Sequence, residues 1–150
     1  MASGTRVGKR ADYRWFTTIT TRWMDNDVYG HVNNVAYYSF FDTAVADFLL
    51  QCGALEIATS PEIGLVVETQ CRFAAPITYP DRVTVGLRCG RIGTSSVRYE
   101  IGVFREDEAQ ASAEGHFVHV YVRRDAQDRA VPMPARLREA LQTLLAATAD

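Results

Sequence analysis

The sequence lacks the features that mark several specialised classes of protein. Its 16 basic and 18 acidic residues give a net charge of −2, so it has no positive excess for binding nucleic acid or an anionic membrane. No apolar run approaches the roughly 20 residues that span a bilayer. The first residues also lack an apolar secretory segment. We therefore expect a cytoplasmic protein with no nucleic-acid or membrane partner.

Cysteine is scarce, and its arrangement excludes two kinds of site. Cys52, Cys71 and Cys89 are widely spaced and odd in number, without a CxxC or a Cys/His metal spacing. We expect reduced, buried thiols. His116 and His119 are three residues apart in a predicted strand, which places them on opposite faces, so no metal site is expected there either.

The composition is that of an ordinary globular protein. At 150 residues and 47% hydrophobic content, the chain is long enough for one domain with a buried core. Residues 1–12 are polar and basic, and they predict a flexible tail before a single domain over residues 13–150. Apart from Lys9 the basic residues are all arginine, a residue suited to phosphate recognition.

A strand and then a helix are predicted at the start of the domain. Trp15–Trp23 is rich in threonine and aromatic residues, which favours a strand, and the turn formers of residues 25–34 end it. A helix is predicted over Val35–Gln51, with Asn33 or Asn34 as its cap. The helix is apolar around most of its circumference, so we expect other elements to wrap it.

Alternation with period two predicts four further strands, at about residues 65–73, 82–89, 96–103 and 116–122. Short, turn-rich connections between them favour an antiparallel meander. A short amphipathic helix is predicted after Pro134. One strand, one buried helix and four antiparallel strands form an α+β layout, and the simplest packing curls the sheet around the helix.

The segment RWMDNDVYGHVNN, between the first strand and the helix, concentrates side chains capable of catalysis. A helix N-terminus offers unpaired N–H groups that can stabilise an oxyanion, and a carboxylate such as Asp25 or Asp27 can act on a carbonyl as base or nucleophile. Gly30 allows a sharp bend or a close approach to a ligand. By composition alone, an ordinary turn and helix cap is the simpler interpretation.

The block T-x-R-W-x-D-x-D-x-x-G-H-V-N-N-x-x-Y-Y, over residues 20–38, resembles the signature of the 4-hydroxybenzoyl-CoA thioesterase-like branch of the hotdog superfamily. It also resembles the matching segment of plant acyl-ACP thioesterases. The segments CRFAAPITYPDRV, RIGTSSVRYEIGVF and GHFVHVYVRRDAQDRAVPMP resemble later parts of the family, so the resemblance covers about residues 15–145.

The resemblance implies a hotdog fold, in which an antiparallel β-sheet wraps around one long central α-helix. It implies hydrolysis of an acyl-CoA thioester to free acid and coenzyme A. No cofactor is expected, because coenzyme A is part of the substrate. Hotdog relatives build each active site between two subunits, so a homodimer or homotetramer is expected.

The same resemblance implies roles for individual residues. Asp27 matches the catalytic carboxylate, which attacks the thioester directly or activates a water. The backbone N–H groups near Asn33 and Asn34 would polarise the thioester oxygen. Asp25 is expected to be structural, bonded to the loop or to an arginine such as Arg22.

His31 matches a residue with a catalytic part in the plant relatives. Those relatives carry an asparagine where Tyr29 stands, so a loop-bracing His31 is the alternative. Asp42 and Thr43 lie on the polar stripe of the helix, where the superfamily sometimes places a second catalytic group; solvation or a subunit contact is the alternative.

The substrate-binding set combines this loop with two strand regions. Gly64–Val67 resembles the segment that approaches the thioester from a partner subunit, and a polar, basic strand entry suits the phosphates of coenzyme A. The expected catalytic residues are Asp27, His31 and Asn34. The expected substrate-binding residues are Tyr29, Gly30, Asn33, Val66, Val67, Arg91, Thr94, Ser95, Ser96 and Arg98.

Two other functions remain open at this point. Hydrolysis of acyl-carrier-protein thioesters is one, because an acidic carrier would meet the arginines. A non-catalytic acyl-binding hotdog domain is the other, although a carboxylate at position 27 argues against it. Phe40, Phe41 and Phe48 on the helix either line an acyl pocket or form plain core.

Overall fold

The structure, a computed structural model, describes residues 8–145 as an antiparallel sheet of six strands curled around one long helix. Two single-turn 3-10 helices, at Arg10–Asp12 and Trp23–Asp25, flank the first strand. The strands are β1 Trp15–Thr20, β2 Glu62–Phe73, β3 Arg82–Ile92, β4 Ser96–Arg105, β5 Ala113–Arg123 and β6 Ala126–Ala130; the helices are α1 Asn34–Gln51 and α2 Ala135–Gln142. The predicted α+β layout is therefore confirmed.

The central helix α1 forms where the sequence predicts it. Asn33 is its N-cap, and the side-chain oxygen of Asn33 accepts the Val35 N–H at 3.0 Å. Its buried residues are Tyr37, Phe40, Phe41, Ala44, Val45, Phe48 and Leu49. The three phenylalanines are thus part of the main hydrophobic core. The opposite stripe is polar, and its Asp47 accepts a hydrogen bond from the Thr17 hydroxyl of β1 at 3.0 Å.

The strand order is β1-β3-β4-β5-β2, and β6 pairs with the last residues of β5, at Val122 and Arg123. The prediction of a four-strand meander was therefore wrong for β2, which pairs along its whole length with β5 and not with β3. The connection over residues 74–81 contains Pro76 and Pro80 and carries the chain across the sheet. Alternation specifies which face a side chain takes, but it does not specify the neighbouring strand.

Strand β2 also departs from the predicted alternation of buried and exposed residues. Val66 is 49% exposed and Val67 59% exposed, and the pairing with β5 shifts at a bulge between Val66 and Glu68. These side chains are exposed because β2 is an edge strand and α1 makes few contacts with it. An exposed apolar edge strand in a monomer marks an interaction surface.

The residues before β1 pack on the outer face of the sheet. The Arg10 N–H donates to the Ala109 carbonyl at 2.8 Å, and the Ala111 N–H donates to the Gly8 carbonyl at 2.9 Å. These bonds tie residues 8–12 to the domain, five residues before the boundary that the sequence suggested; residues 1–7 of that tail lie outside the described residues. Tyr13 lies over a cross-strand pair of glycines, Gly86 and Gly102, where any Cβ would meet its ring.

The chain after β5 adds two small elements. Strand β6 was not predicted, because its residues are all exposed and show no alternation; pairing with β5 holds it in place. The predicted helix after Pro134 is confirmed as α2, which buries Leu137 and Leu141 against the core. Within residues 8–145 no helix has both the length and the apolar character needed to cross a membrane.

Candidate active site

The loop between β1 and α1 is built as a tight, internally bonded turn. Asn26 and Val32 form an isolated antiparallel bridge, and between them the Asp27 N–H donates to the His31 carbonyl at 2.8 Å. The Gly30 N–H closes the turn on the Asp27 carbonyl at 3.1 Å. Gly30 has a φ of 82°, in the left-handed region that glycine adopts without strain. The loop geometry therefore fixes the direction in which Asp27 points.

Asp25 holds the base of this loop, as the sequence suggested. Its side chain is buried, with 6% exposure, and its Oδ2 accepts the Arg22 backbone N–H at 2.8 Å. The Oδ1 atom pairs with the Arg22 guanidinium at 3.3 Å. The Asp25 carbonyl accepts the Asn33 N–H at 2.8 Å, which links the loop to the start of α1. Both side-chain oxygens of Asp25 are thus engaged within the protein.

Asp27 has a different environment although it is two residues away. It is half-buried, and its Oδ1 accepts the Tyr29 N–H at 2.9 Å in an Asx turn. No group in residues 8–145 bonds to its Oδ2. One oxygen therefore orients the carboxylate, while the other is free to meet a ligand.

The backbone N–H groups at the start of α1 differ in whether an acceptor within the protein already bonds to them. The Asn33 N–H is used by Asp25, the Val35 N–H by the Asn33 side chain, and the Ala36 N–H by the Asn33 carbonyl at 2.9 Å. The Asn34 N–H has no acceptor in the described part of the chain. Of the N–H groups near Asn33 and Asn34, that of Asn34 is the one available to a ligand at the positive end of the helix dipole.

A cleft of about 490 Å³ lies between this loop, the start of α1 and the end of β2. Its lining residues are Asp27, Tyr29, His31, Val32, Asn34, Tyr37, Phe73, Ala74, Ala75 and Pro76. A second, broader depression on the other side of the loop shares Asp27, Tyr29 and Asn34 with it. Burial raises the pKa of Tyr37 to about 12, so this hydroxyl stays protonated at neutral pH. The lining thus combines apolar residues with Asp27, His31 and Asn34, and the Asn34 N–H has no acceptor in residues 8–145.

His31 and Tyr29 are both exposed on the loop, Tyr29 with 83% exposure. The His31 imidazole has no hydrogen-bond partner in residues 8–145, so the loop-bracing alternative finds no contact to support it. The loop is braced instead by its own backbone and by the segment before β3. The Val32 N–H donates to the Ile77 carbonyl at 2.7 Å, and the Asn26 side chain accepts the Tyr79 N–H at 3.1 Å.

This bracing segment, residues 74–81, is what the sequence analysis missed. It supplies Ala74, Ala75 and Pro76 to the wall of the cleft and Asp81 to its support. The Asp81 carboxylate accepts the Thr78 N–H at 3.0 Å and pairs with Arg105 at 2.8 Å. The segment CRFAAPITYPDRV resembles the corresponding part of the family, but its sequence does not show that it lies beside the loop.

The remaining predicted binding residues lie elsewhere in this chain. Val66 and Val67 are seven and six residues before Phe73, which corresponds to a separation of about 20 Å along β2. They are exposed on the sheet edge and do not line the cleft. One chain therefore does not bring them to Asp27.

The predicted coenzyme A residues lie at the β3–β4 hairpin, at the opposite end of the sheet from the loop. Arg91 and Arg98 face each other across the hairpin, both exposed, after a bulge between Cys89 and Arg91. About 30 Å of strand separates Arg91 from Arg82, the end of β3 nearest the loop. The backbone of Thr94, Ser95 and Ser96 is used internally, since their carbonyls accept the Met133, Tyr121 and Gly93 N–H groups.

The cysteines, the helix residues Asp42 and Thr43, and the two histidines of β5 do not line the cleft. Burial raises the pKa of Cys71 and of Cys89 to about 12, so both stay thiols at neutral pH. Asp42 and Thr43 are exposed on α1. His116 and His119 lie on opposite faces of β5, as their spacing predicts, and each borders a different cavity.

Comparison with known proteins shows which family carries this arrangement. A family model described as the thioesterase-like superfamily matches residues 21–141. The chain belongs to this superfamily. The sequence matches none of the curated proteins.

Solved structures extend the likeness. The PA5185 protein from Pseudomonas aeruginosa strain PAO1 is 47% identical, covers 96% of this chain and 100% of its own, and superimposes with a TM-score of 0.92. The PA2801 protein from Pseudomonas aeruginosa is 30% identical over 86% of this chain and 98% of its own, with a TM-score of 0.79. A 1,4-dihydroxy-2-naphthoyl-CoA thioesterase from Synechocystis shares the fold, at 18% identity, 85% and 94% coverage and a TM-score of 0.76.

The predicted family and the hotdog fold are confirmed by these matches. Membership of a thioesterase superfamily indicates hydrolysis of a thioester as the general chemistry. The matched region, residues 21–141, contains the whole loop from Thr21 to Asn34 and the cleft beside it.

Proposed function

We propose that this thioesterase-like protein hydrolyses acyl-CoA esters, with Asp27 as the catalytic carboxylate and the Asn34 N–H as the group that polarises the thioester carbonyl. One observation carries the proposal. Within residues 8–145 the Asp27 carboxylate accepts one bond, from the Tyr29 N–H, which leaves Oδ2 free, and Asn34, whose N–H has no acceptor in those residues, lines the same cleft.

These groups suffice for a balanced hydrolysis. Asp27 removes a proton from a water, the resulting hydroxide adds to the thioester carbon, and the carbonyl oxygen becomes an oxyanion beside the Asn34 N–H. Collapse of this intermediate breaks the carbon–sulfur bond and releases the acid and the thiolate of coenzyme A, which takes up the proton. In the alternative route Asp27 adds to the carbon itself and the thiolate of coenzyme A leaves, and a water then hydrolyses the mixed anhydride to the free acid and the Asp27 carboxylate.

His31 is proposed as the residue that takes the proton from Asp27 and passes it to the leaving sulfur. Support comes from its position on the lining of the cleft and from its imidazole, which no bond within residues 8–145 engages. Tyr29 and Gly30 would contact the substrate from the loop. Asn33 would act indirectly, because its side chain and carbonyl occupy the neighbouring N–H groups and leave that of Asn34 unpaired.

A second copy of the chain is proposed to complete the site. Support comes from the exposed apolar residues on the β2 edge, where Val66 and Val67 lie, and on the loop, where Trp23 and Met24 are each 75% exposed and Val28 is 94% exposed. Clusters of exposed large apolar side chains often mark a protein–protein interface. In a homodimer joined along β2, Val66 and Val67 of one copy would reach the cleft of the other.

The β3–β4 hairpin of the second copy is proposed to bind the phosphates of coenzyme A, because within one chain the hairpin lies at the opposite end of the sheet from Asp27. Support comes from Arg91 and Arg98, which face each other across the hairpin. Like charges directly opposite on neighbouring strands are destabilising, and an anion bound between them removes that repulsion. Thr94, Ser95 and Ser96 add hydroxyl groups at the same turn.

The decisive experiment is steady-state hydrolysis of a panel of CoA thioesters, followed by thiol release. The panel spans short, medium and long fatty acyl, hydroxybenzoyl and phenylacetyl esters, with wild type and Asp27→Asn side by side. We expect a clear preference in the wild type that Asp27→Asn abolishes. Full activity in the variant would remove Asp27 from the mechanism, and inactivity of the wild type on every ester would favour a binding role.

Hydrolysis of acyl-carrier-protein thioesters is the second candidate, and the same arginine pair favours it. An acidic carrier would contact Arg91 and Arg98 as readily as phosphates would. The two candidates separate in kinetics with matched acyl groups on coenzyme A and on the carrier. We expect Arg91→Ala and Arg98→Ala to raise KM for the CoA ester with little change in kcat. A change confined to the carrier substrate would reverse the assignment.

A further inference from the structure

Tyr37, in the first turn of α1, lines the same cleft as Asp27 and Asn34. Its side chain is buried, and its aromatic ring packs edge-on against Phe73 at the end of β2, with ring centroids 4.9 Å apart. The ring also packs edge-on against Phe40 of its own helix, at 5.8 Å. Contacts from two elements therefore hold the Tyr37 ring in one orientation on the lining of the cleft.

The hydroxyl distinguishes Tyr37 from the other buried aromatic residues of α1, which are Phe40, Phe41 and Phe48. A phenylalanine at position 37 would keep the same ring contacts and would not take a polar oxygen out of water. The Tyr37 hydroxyl therefore adds one hydrogen-bonding group to the wall of the cleft that Phe73 and Pro76 also form.

The Tyr37 hydroxyl is a hydrogen-bond donor with no acceptor in residues 8–145. Burial raises its pKa to about 12, the Cys71 thiol adds to this effect, and the Ile77 backbone partly offsets it. Only a donor to the tyrosine oxygen lowers this pKa, so the Ile77 N–H leaves the hydroxyl proton free. Among the described residues the Tyr99 hydroxyl is unpaired and closed to solvent, whereas the Tyr37 hydroxyl is not closed off in this way. A ligand in the cleft can therefore accept a hydrogen bond from Tyr37.

Helix geometry directs the Tyr37 side chain toward the Asn34 N–H. Tyr37 follows Asn34 by three residues, so the two lie on the same side of α1, about 4.5 Å apart along its axis. Side chains in a helix lean toward its N-terminus, which carries the Tyr37 ring over the turn that begins at Asn34. The hydroxyl and the N–H can therefore reach the same ligand atom, in the cleft that Asp27 also lines.

We propose that the Tyr37 hydroxyl donates a second hydrogen bond to the thioester carbonyl oxygen, beside that of the Asn34 N–H, and is a further catalytic residue. The inference rests on the proposed thioesterase function and deepens it by completing the site for the oxyanion. A carbonyl oxygen has two lone pairs and accepts two such bonds, and the negative charge that develops on it strengthens both. Tyr37 keeps its proton throughout, so Asp27 and His31 remain the groups that move protons.

The kinetic test is Tyr37→Phe, which keeps the ring and removes only the hydroxyl. We expect kcat for the preferred CoA ester to fall by roughly 10²–10³, the loss typical of one oxyanion donor, with little change in KM. Tyr38→Phe is the matched control, because the half-buried Tyr38 packs on Phe41 at 6.0 Å and does not line the cleft. It should keep the wild-type kcat, and thermal unfolding checks the fold of both variants. A wild-type kcat in Tyr37→Phe would overturn the proposal.

A carbonyl probe separates a direct contact from a structural role of Tyr37 and from failure of the proposed function. The probe is a coenzyme A ketone in which a methylene group replaces the thioester sulfur, so its carbonyl binds but is not hydrolysed. Infrared difference spectra of the carbon-13-labelled carbonyl report its polarisation. We expect binding to lower the stretching frequency in the wild type and in Tyr38→Phe, and to lower it less in Tyr37→Phe.

The outcomes of the two measurements are distinct. If no CoA ester is hydrolysed, the proposed function fails, and a frequency shift that depends on Tyr37 still supports the contact between its hydroxyl and a bound carbonyl. Equal frequencies in the wild type and Tyr37→Phe would overturn the inference while leaving thioester hydrolysis intact. Absence of a bound carbonyl band in the wild type would overturn it as well.

Discussion

Asp25 and Asp27 are two carboxylates of one loop, separated by one residue, and the structure gives them opposite environments. Asp25 is buried and uses both oxygens, one on the Arg22 N–H and one on the Arg22 guanidinium. Asp27 is half-buried and uses one oxygen, on the Tyr29 N–H. Asp25 lies below the turn, where it ties the chain to α1, and Asp27 lies on the lining of the cleft.

The difference shows how bonding separates a structural carboxylate from one suited to catalysis. A carboxylate whose oxygens are already satisfied cannot accept a proton from water without losing those bonds. A carboxylate oriented by one backbone N–H keeps a free oxygen at a fixed position. The comparison therefore predicts separate effects of substitution at the two positions, on stability for Asp25 and on turnover for Asp27.

The largest expected effect comes from Asp27→Asn. Asparagine keeps an oxygen that can accept the Tyr29 N–H, so the loop should persist, but the basic or nucleophilic oxygen is lost. We expect kcat to fall by roughly 10²–10⁴, with the melting temperature nearly unchanged. Thermal unfolding and thiol release on the same preparation measure both quantities. A large fall in melting temperature would make Asp27 structural, like Asp25.

The second-largest effect is expected from Asn34→Pro, which removes the Asn34 N–H. Asn34 is the first residue of α1, where proline is well tolerated, and Asn33 before it has φ −61° and ψ 140°, a conformation compatible with a following proline. Asn34→Pro therefore removes the N–H with little disturbance of the helix. We expect kcat to fall by roughly 10²–10³.

Asn34→Ala is the matched control for that substitution, because it removes the side chain and keeps the N–H. It should retain most of the wild-type kcat. Equal losses in the two variants would assign the effect to the side chain, and equal retention would remove the Asn34 N–H from the proposed mechanism. Circular dichroism of both variants checks that α1 persists.

A smaller effect is expected from Asp25→Asn. Unlike Asp27→Asn, it should lower the stability of the protein and change kcat little. The substitution removes the charge that pairs with Arg22 and leaves one acceptor where two were used. We expect the free energy of unfolding to fall by about 1–3 kcal/mol. Urea denaturation measures this change. At a temperature where the variant is folded, kcat should stay within about tenfold of wild type, because Asp25 does not reach the cleft. A kcat loss as large as that of Asp27→Asn, without destabilisation, would contradict the division of roles.

The smallest effect concerns Asp81, a third carboxylate that supports the loop from residues 74–81. Partial burial raises the pKa of Asp81, but the Thr78 N–H and the Arg105 guanidinium outweigh it and lower the pKa below its ordinary value. A lowered folded-state pKa stabilises the protein above the unfolded pKa, near 4, and the contribution is lost as pH falls through the folded value.

We therefore expect Asp81→Asn to lower the free energy of unfolding at pH 7 by at most about 1 kcal/mol, because Arg105 is half-exposed. The difference from wild type should shrink as the pH is lowered below about 4. Urea denaturation of both proteins at several pH values gives the comparison. A difference that grows toward acid pH would contradict the assigned direction of the pKa shift.

Much of the site was predictable from local sequence, because its chemistry lies in one short segment. The turn formers before α1, the Asn33 cap and the apolar circumference of the helix all act over a few residues, and the structure has each of them. The resemblance of the D-x-D-x-x-G-H-V-N-N block predicted the family. What the letters did not distinguish was which of the carboxylates and N–H groups would be left unpaired.

The sequence by itself determined the α+β composition, the position of α1 and the strands β1 to β5, because periodicity and capping are local properties. Only the tertiary structure decided that β2 pairs with β5, that residues 74–81 brace the loop, and that the arginine hairpin lies at the far end of the sheet from Asp27. It alone shows that, among the residues the structure describes, His116 has a hydrogen-bond partner and His119 has none. Such pairings join residues distant in the chain, and they depend on how whole elements pack, which no local pattern specifies.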